Sequence, residues 1–236
     1  MRLSPMIYLY IALGLAAFLW FLWAFSADAA EFRVVEGKTR THVFLEGKLQ
    51  REDWGRFMVI VRDKKLRDKY TLHLNSGGGS VLTGLRLGSL VRKQGIKTFI
   101  SSHSTCASAC YLIFIAGYDM DRGRHDRWKH RQAKLGIHSP RFRTEKANTE
   151  VNRTFISELL RRHLARYDAG QGVYEKMMGT PFDKMHYFTN RELEKLGGYG
   201  IIGKSPRNKL YDALMRKYRP GSTTDILWRK SQDRLR

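Results

Sequence analysis

Apolar positions along this chain switch repeatedly between a period of two and a period near 3.6. Residues 32–48 read as strand material, where Thr41-His42-Val43-Phe44-Leu45 runs into the turn signal Glu46-Gly47. Residues 51–64 carry Trp54, Phe57, Met58, Ile60 and Val61 at helical spacing. A short strand, Tyr70-Thr71-Leu72-His73-Leu74, leads into Asn75-Ser76-Gly77-Gly78-Gly79, after which residues 80–94 predict a helix stopped by Gly95. Residues 96–100 predict a strand, 108–116 a strongly apolar helix closed by Gly117, and 134–138 a strand that ends before Ser139-Pro140. The stretch 118–132 is polar and charged and reads as a surface insertion. A long amphipathic helix is predicted over 144–167, with Val151, Phe155, Ile156, Leu159, Leu160 and Leu164 on one face. A short helix follows at 173–178. Thr189-Asn190-Arg191-Glu192 is a capping box opening the next helix, Gly197-Gly198 ends it, and 199–202 forms the last strand. Strand and helix in regular succession predict an α/β fold with right-handed crossovers.

The two ends break this rhythm. Arg2 precedes an apolar run over residues 6–25, followed by Ser26-Ala27-Asp28-Ala29-Ala30, a small-residue pattern that suits cleavage after Ala29. The run is also about long enough to cross a bilayer. Residues 1–30 are therefore expected to be a signal peptide or an N-terminal transmembrane anchor. Both put the body outside the cytoplasm, as a periplasmic protein or one anchored to the inner membrane. Residues 31–203 form the expected folded domain, and 204–236 a basic extension with a short amphipathic helix over 212–218.

Composition sharpens the picture. The 236 residues are 42% hydrophobic, enough for one sizeable core. Lys and Arg number 43 against 22 Asp and Glu, a formal charge of +21. Such a surface attracts anions: nucleic acid, acidic headgroups, envelope polymers or acidic proteins. The export signal argues against nucleic acid and leaves an anionic membrane surface or envelope polymer as partners. The two cysteines, Cys106 and Cys110, are too few for a disulfide framework. Four apart on a helix they would have poorly directed Cβ vectors, so two small buried thiols are expected. No metal set is expected either, since His125 and His130 sit in a charged stretch without a completing pattern. Single histidines at His42, His73 and His103 read as structural.

Three pieces carry chemistry. The glycine turn Gly77-Gly78-Gly79, between a strand and a helix, can present backbone amides to an anion or an oxyanion, or be a plain tight turn. Ser108, in Cys106-Ala107-Ser108-Ala109-Cys110, stands where an apolar helix begins. It is a helix N-cap or a nucleophile with room for substrate and the Ala109 amide beside it. His138 ends a strand, where it is a half-buried structural residue or the base that a serine nucleophile needs.

Together these pieces resemble the Clp protease proteolytic subunit family. Leu74-Asn75-Ser76-Gly77-Gly78-Gly79-Ser80 is similar to its glycine-turn segment. Ala107-Ser108-Ala109, with the apolar run to Ala116-Gly117, is similar to its nucleophile segment, and Ile137-His138-Ser139-Pro140 to its histidine segment. Phe188 to Leu193, then Gly200-Ile201-Ile202, resembles its closing segment, and Val43-Phe44-Leu45-Glu46-Gly47 an early strand. The likeness spans about residues 41–203, in the family's order.

The resemblance implies a Clp/crotonase-type spiral of repeated strand-strand-helix units, often assembled into homo-oligomers. It implies Ser108 as nucleophile, His138 as general base, and an oxyanion hole made by the amides of Gly78, Gly79 and Ala109. It implies a peptide or protein substrate and no cofactor. Four departures qualify it. Gly77 replaces the proline of the family's turn, and the stretch between serine and histidine is longer. An export signal replaces the cytosolic start, so no ATPase partner is expected. The family's triad aspartate falls on Met185, with Asp183 two residues earlier as the candidate acid. The function expected is an exported serine peptidase of the cell envelope. The alternative is an inactive scaffold of the same fold that binds anionic polymers, a membrane surface or acidic partners. Crotonase-type acyl transfer on a thioester is disfavoured by the serine–histidine spacing and the export signal.

Overall fold

The structure, a computed structural model, describes residues 30–37, 40–62, 70–142 and 144–203. The apolar run at 6–25, the Ala29 cleavage point and the basic extension at 204–236 with its predicted helix lie outside the described residues. Among the described residues no helix is long and apolar enough to cross a membrane.

The chain opens with an antiparallel pair, β1 (Glu31–Glu36) and β2 (Thr41–Glu46), in which Phe32 faces Leu45. Next come α1 (Asp53–Arg62), β3 (Tyr70–Asn75), α2 (Val81–Lys93), β4 (Lys97–Ile100), β5 (Thr105–Ala107) and α3 (Ala109–Phe114). A two-stranded hairpin, β6 (Tyr118–Asp119) and β7 (Arg124–His125), precedes β8 (Arg127–His130) and β9 (Lys134–Ile137). The rest is α4 (Glu150–Arg166), α5 (Val173–Gly179), β10 (His186–Tyr187), α6 (Asn190–Leu196) and β11 (Gly200–Ile202).

Six strands make the larger sheet in the order β1-β2-β3-β4-β8-β11, parallel from β2 onward. A smaller sheet has the order β10-β9-β5. The chain therefore visits the larger sheet, the smaller sheet and a helix in turn: β4, β5, α3, then β8, β9, α4. One bridge, Ser76 to Cys106, gives β3 and α2 the same relation. The fold is mixed α/β, as the alternation of periods predicts.

α3 is the centre of the core. All six of its residues are buried, and Leu112, Ile113 and Phe114 each contribute about 1.5–3 kcal/mol by leaving water. α2 lies hard against it through two glycines one turn apart. A methyl group on Gly84 would stand 2.5 Å from the Ala109 oxygen, and one on Gly88 2.5 Å from the Leu112 oxygen. Ser80 caps α2 by accepting from the Thr83 amide.

Two expectations need correction. The charged stretch 118–132 is not a surface insertion. It holds the β6–β7 hairpin and β8, which lies between β4 and β11 in the larger sheet. Charge at alternate positions concealed the strand, because Arg127 and Lys129 point inward and are each 1% exposed. Arg127 survives there by donating to the carbonyls of Ile115, Tyr167, Asp168 and Gly198 at 2.6–2.9 Å, with its guanidinium over Tyr199. Lys129 donates to Asn190 Oδ1 at 2.7 Å, and burial, helped by Arg131, pushes its pKa down to about 8.

The long helix predicted over 144–167 is two pieces. Thr144 caps a single 3-10 turn, Glu145–Ala147, and Thr149 caps α4. Only part of the apolar face is used. Leu160 and Leu164 are buried, whereas Val151 and Phe155 are 77% and 58% exposed. Trp54, Met58, Val61, Leu82, Phe155 and Leu159 line a groove of about 720 Å³ between α1, α2 and α4.

Candidate active site

Three loops meet at the ends of β3, β5 and β9. Strand β5 runs parallel to β9, with Ala107 opposite Gly136, so Ser108 stands level with Ile137, one residue short of His138. The Ser108 amide donates to the Gly136 carbonyl at 3.0 Å. The glycine turn is tied to the same strand. The Ser76 amide donates to the Thr105 carbonyl at 2.7 Å, and the Ser76 carbonyl accepts from the Ala107 amide at 3.0 Å.

Ser108 forms the sharp turn between β5 and α3. Its φ is +56° and its ψ −126°, a conformation that costs a non-glycine residue about 1–3 kcal/mol. It occupies the N-cap position of α3, yet its side chain makes no capping hydrogen bond. The hydroxyl is thus not spent on capping the helix. The Ala109 amide, next in line, donates to no described residue, as befits the first turn of a helix.

Gly78 comes closest to this turn. A methyl on it would stand 2.6 Å from Ser108 Cβ and 2.9 Å from the Ala109 nitrogen, and its φ is +101°. Its amide donates to Ser76 Oγ at 3.1 Å, so it is engaged within the turn. Gly79, at φ +139°, sits against Leu49: the Leu49 amide donates to the Gly78 carbonyl, and the Ser80 amide to the Leu49 carbonyl. That pattern leaves the Gly79 amide with no acceptor among the described residues. Of the three amides expected as donors, those of Gly79 and Ala109 have no acceptor among the described residues, and Gly78 is the one packed against the serine turn.

His138 follows β9 and is half-buried. Its Nδ1 lies 2.7 Å from the Ser139 carbonyl, and since a carbonyl only accepts, Nδ1 carries the proton. Nε2 is then the acceptor, the form a general base requires. The Ser139 residue is itself held, because its amide donates to the Thr180 carbonyl at 2.8 Å. Asp183 lies in the exposed segment after Thr180, and its carboxylate makes no hydrogen bond or ion pair with His138. The antiparallel β9–β10 register sets His186 opposite Ile137, so Met185 falls level with His138.

Behind the site, His163 of α4 donates from Nε2 to the Leu112 carbonyl of α3 at 2.9 Å. Burial pushes its pKa down to about 4, against the pull of that hydrogen bond.

The cysteines also need correction. Cys106 and Cys110 are joined in a disulfide, with Cα atoms 5.2 Å apart, rather than being two thiols. The expectation assumed that both sat on one helix. In fact Cys106 is on β5, Cys110 is on α3, and the turn at Ser108 brings them face to face.

No protein-family model matches the chain, and no curated protein matches it. Among solved structures it is similar to a point mutant of ClpP1 from Listeria monocytogenes, with a TM-score of 0.53 and 19% sequence identity. The match covers 71% of this chain and 93% of that one. The chain therefore has a ClpP-like fold.

Proposed function

We propose that this chain is a serine peptidase, with Ser108 as nucleophile and His138 as general base. One observation carries the reading: a serine held at positive φ with its hydroxyl unused as a cap, followed by the acceptor-free Ala109 amide, on a turn hydrogen-bonded to the strand that ends in His138. A peptide carbonyl seated over the turn is attacked by Ser108 Oγ as His138 Nε2 takes the hydroxyl proton. The amides of Gly79 and Ala109 receive the negative oxygen, an effect worth about 3–4 kcal/mol per donor lost. His138 returns the proton to the leaving amine, and water then releases the acyl group by the same steps in reverse. In the resting arrangement the Ser139 carbonyl, not Asp183, orients the imidazole. This orientation lacks the negative charge of a triad acid, so a slow peptidase is expected.

The same proposal extends to the architecture and the setting. The succession of larger sheet, smaller sheet and helix supports a Clp/crotonase-type spiral. The disulfide supports an oxidising compartment, consistent with an exported chain, periplasmic or membrane-anchored. The apolar groove with exposed Val151 and Phe155 supports a homo-oligomer. The charge of +21 supports contact with an anionic membrane surface or envelope polymer.

The absence of a carboxylate from His138 Nδ1 favours one second reading, the inactive scaffold. Labelling with a fluorophosphonate decides between them, because that probe reacts with a serine activated by a base. Labelling lost in Ser108→Ala and in His138→Ala is the expected result. A folded wild-type protein that takes no label would establish the scaffold.

A further inference from the structure

The proposed chemistry uses Ser108 but not the two cysteines on either side of it. Their bond closes a ring of five residues, 106 to 110, with Ser108 at its centre, and both cysteines are fully buried. A bridge across so few residues restrains the unfolded chain less than a long-range one does. Its main effect falls on the torsions inside the ring. The hydrogen bonds that hold this turn to the rest of the fold lie on its strand side: Ser108 amide to Gly136, Ala107 amide to Ser76, Ser76 amide to Thr105. On the helix side the turn has the Tyr111 amide donating to the Ser108 carbonyl, a bond within the start of α3 itself. The disulfide is the covalent link that ties the first turn of α3 back to β5 across the strained serine, beside the packing of Ala109 against Gly84 of α2.

We propose that the Cys106–Cys110 disulfide is a positioning latch for the Ser108 nucleophile, so that the site is competent when the bridge is closed and idle when it is open. The latch rests on the peptidase reading given above. Closing it removes two electrons and two protons from the thiols and passes them to a partner disulfide, which leaves as a dithiol. Opening is the reverse, with a dithiol as reductant. Once the bridge is open, Ser108 is free to relax towards negative φ. That rotation carries its hydroxyl and the Ala109 amide out of line with the Gly79 amide and His138. Because both sulfurs are buried, the state is set as the chain folds. A chain folded in reducing surroundings stays idle, and one folded after export into oxidising surroundings becomes active. The producing cell's own proteins are thereby spared.

The test is the rate of fluorophosphonate labelling on the full chain in detergent, per folded molecule as judged by circular dichroism. Oxidised wild type is compared with Cys106→Ala/Cys110→Ala, with wild type refolded under a phosphine, and with that same material unfolded and refolded in the presence of an oxidised thiol–disulfide pair. Misplacing a reacting group by about 1 Å can cost a hundredfold, so a fall of roughly ten- to a hundredfold is expected in both open forms. Refolding the reduced material under oxidising conditions is expected to restore the rate. A merely structural bridge would lower the melting temperature and leave the rate per folded molecule alone, which would overturn the latch. If the double variant does not fold, the phosphine arm carries the comparison, and a rate indifferent to oxidative refolding would overturn it equally. Oxidised wild type that takes no label would overturn the peptidase reading itself.

Discussion

Replacing Arg127 should be among the most damaging single changes outside the site. Its guanidinium gathers the ends of three elements: Ile115 and Tyr167 are the C-caps of α3 and α4, Asp168 follows at φ +49°, and Gly198 precedes β11. Helix C-termini carry unpaired carbonyls and the negative end of the helix dipole, so a buried cation there is well placed. Arg127→Met keeps much of the volume but leaves four acceptors without this donor, the Ile115 and Tyr167 carbonyls among them buried. Each such acceptor costs about 1–3 kcal/mol if water cannot reach it, and partial relaxation makes about 3–5 kcal/mol the expected total. Arg127→Lys keeps the charge with three donors on one nitrogen and should lose roughly half of that. For a domain of this size about 1 kcal/mol moves the melting temperature by about 2–4 °C, so the methionine variant should melt roughly 6–20 °C lower. Urea unfolding followed by tryptophan fluorescence gives the free energy directly. A methionine variant within about 1 kcal/mol of wild type would refute the claim that those carbonyls depend on the guanidinium.

Gly78→Ala should abolish fluorophosphonate labelling, since the new methyl group meets Ser108 Cβ at 2.6 Å from a backbone at φ +101°; undiminished labelling would mean the two loops are not in contact. Asp183→Ala should change labelling by less than about threefold, whereas a loss of the order of 10⁴ would mark Asp183 as a triad acid after all. Buried His163 should make the fold acid-sensitive. Below pH 6.5 the unfolded chain takes up a proton that the folded state refuses until about pH 4, so stability is complete above that window and lost as pH falls through it. The loss attributable to this group is roughly 3 kcal/mol, and His163→Gln should remove it from the pH dependence of the urea midpoint, leaving the slope due to half-buried His42 and buried His73, whose pKa values burial also lowers.

The elements that pack in the ordinary way were legible in the sequence. The capping box at Thr189 is present as expected, with the Glu192 carboxylate accepting from the Thr189 amide at 2.7 Å and the Thr189 hydroxyl from the Glu192 amide. The glycine turn and the strand-end histidine fall at the strand ends the sequence suggested, and Ser108 at the start of the apolar helix, whereas the short strand β5 before it was not foreseen. The strand β8 was not legible, because its inward side chains are Arg127 and Lys129, and period-two reasoning looks for apolar residues on the inner face. Their burial depends on carbonyls from α3, α4 and the turn before β11, and on Asn190 of α6, which no local window contains. The disulfide was hidden for a related reason: four-residue spacing means one geometry within a helix and another across a strand-to-helix turn. The engagement of His138 by its neighbour's carbonyl is a matter of side-chain rotation, and nothing in the string of residues encodes it.

Parallel pairing of β5 with β9 has a consequence for when activity can arise. The two strands are joined only through α3, the hairpin and β8, so the serine and the histidine cannot meet until that whole intervening stretch has docked. Contacts of long sequence separation form late, after the entropy of closing the loop has been overcome. A nascent chain that ends short of β9, or a partly folded one with that strand undocked, holds a nucleophile without a base. Catalytic competence is in this sense a report of completed folding, and its recovery during refolding should trail the return of helical structure.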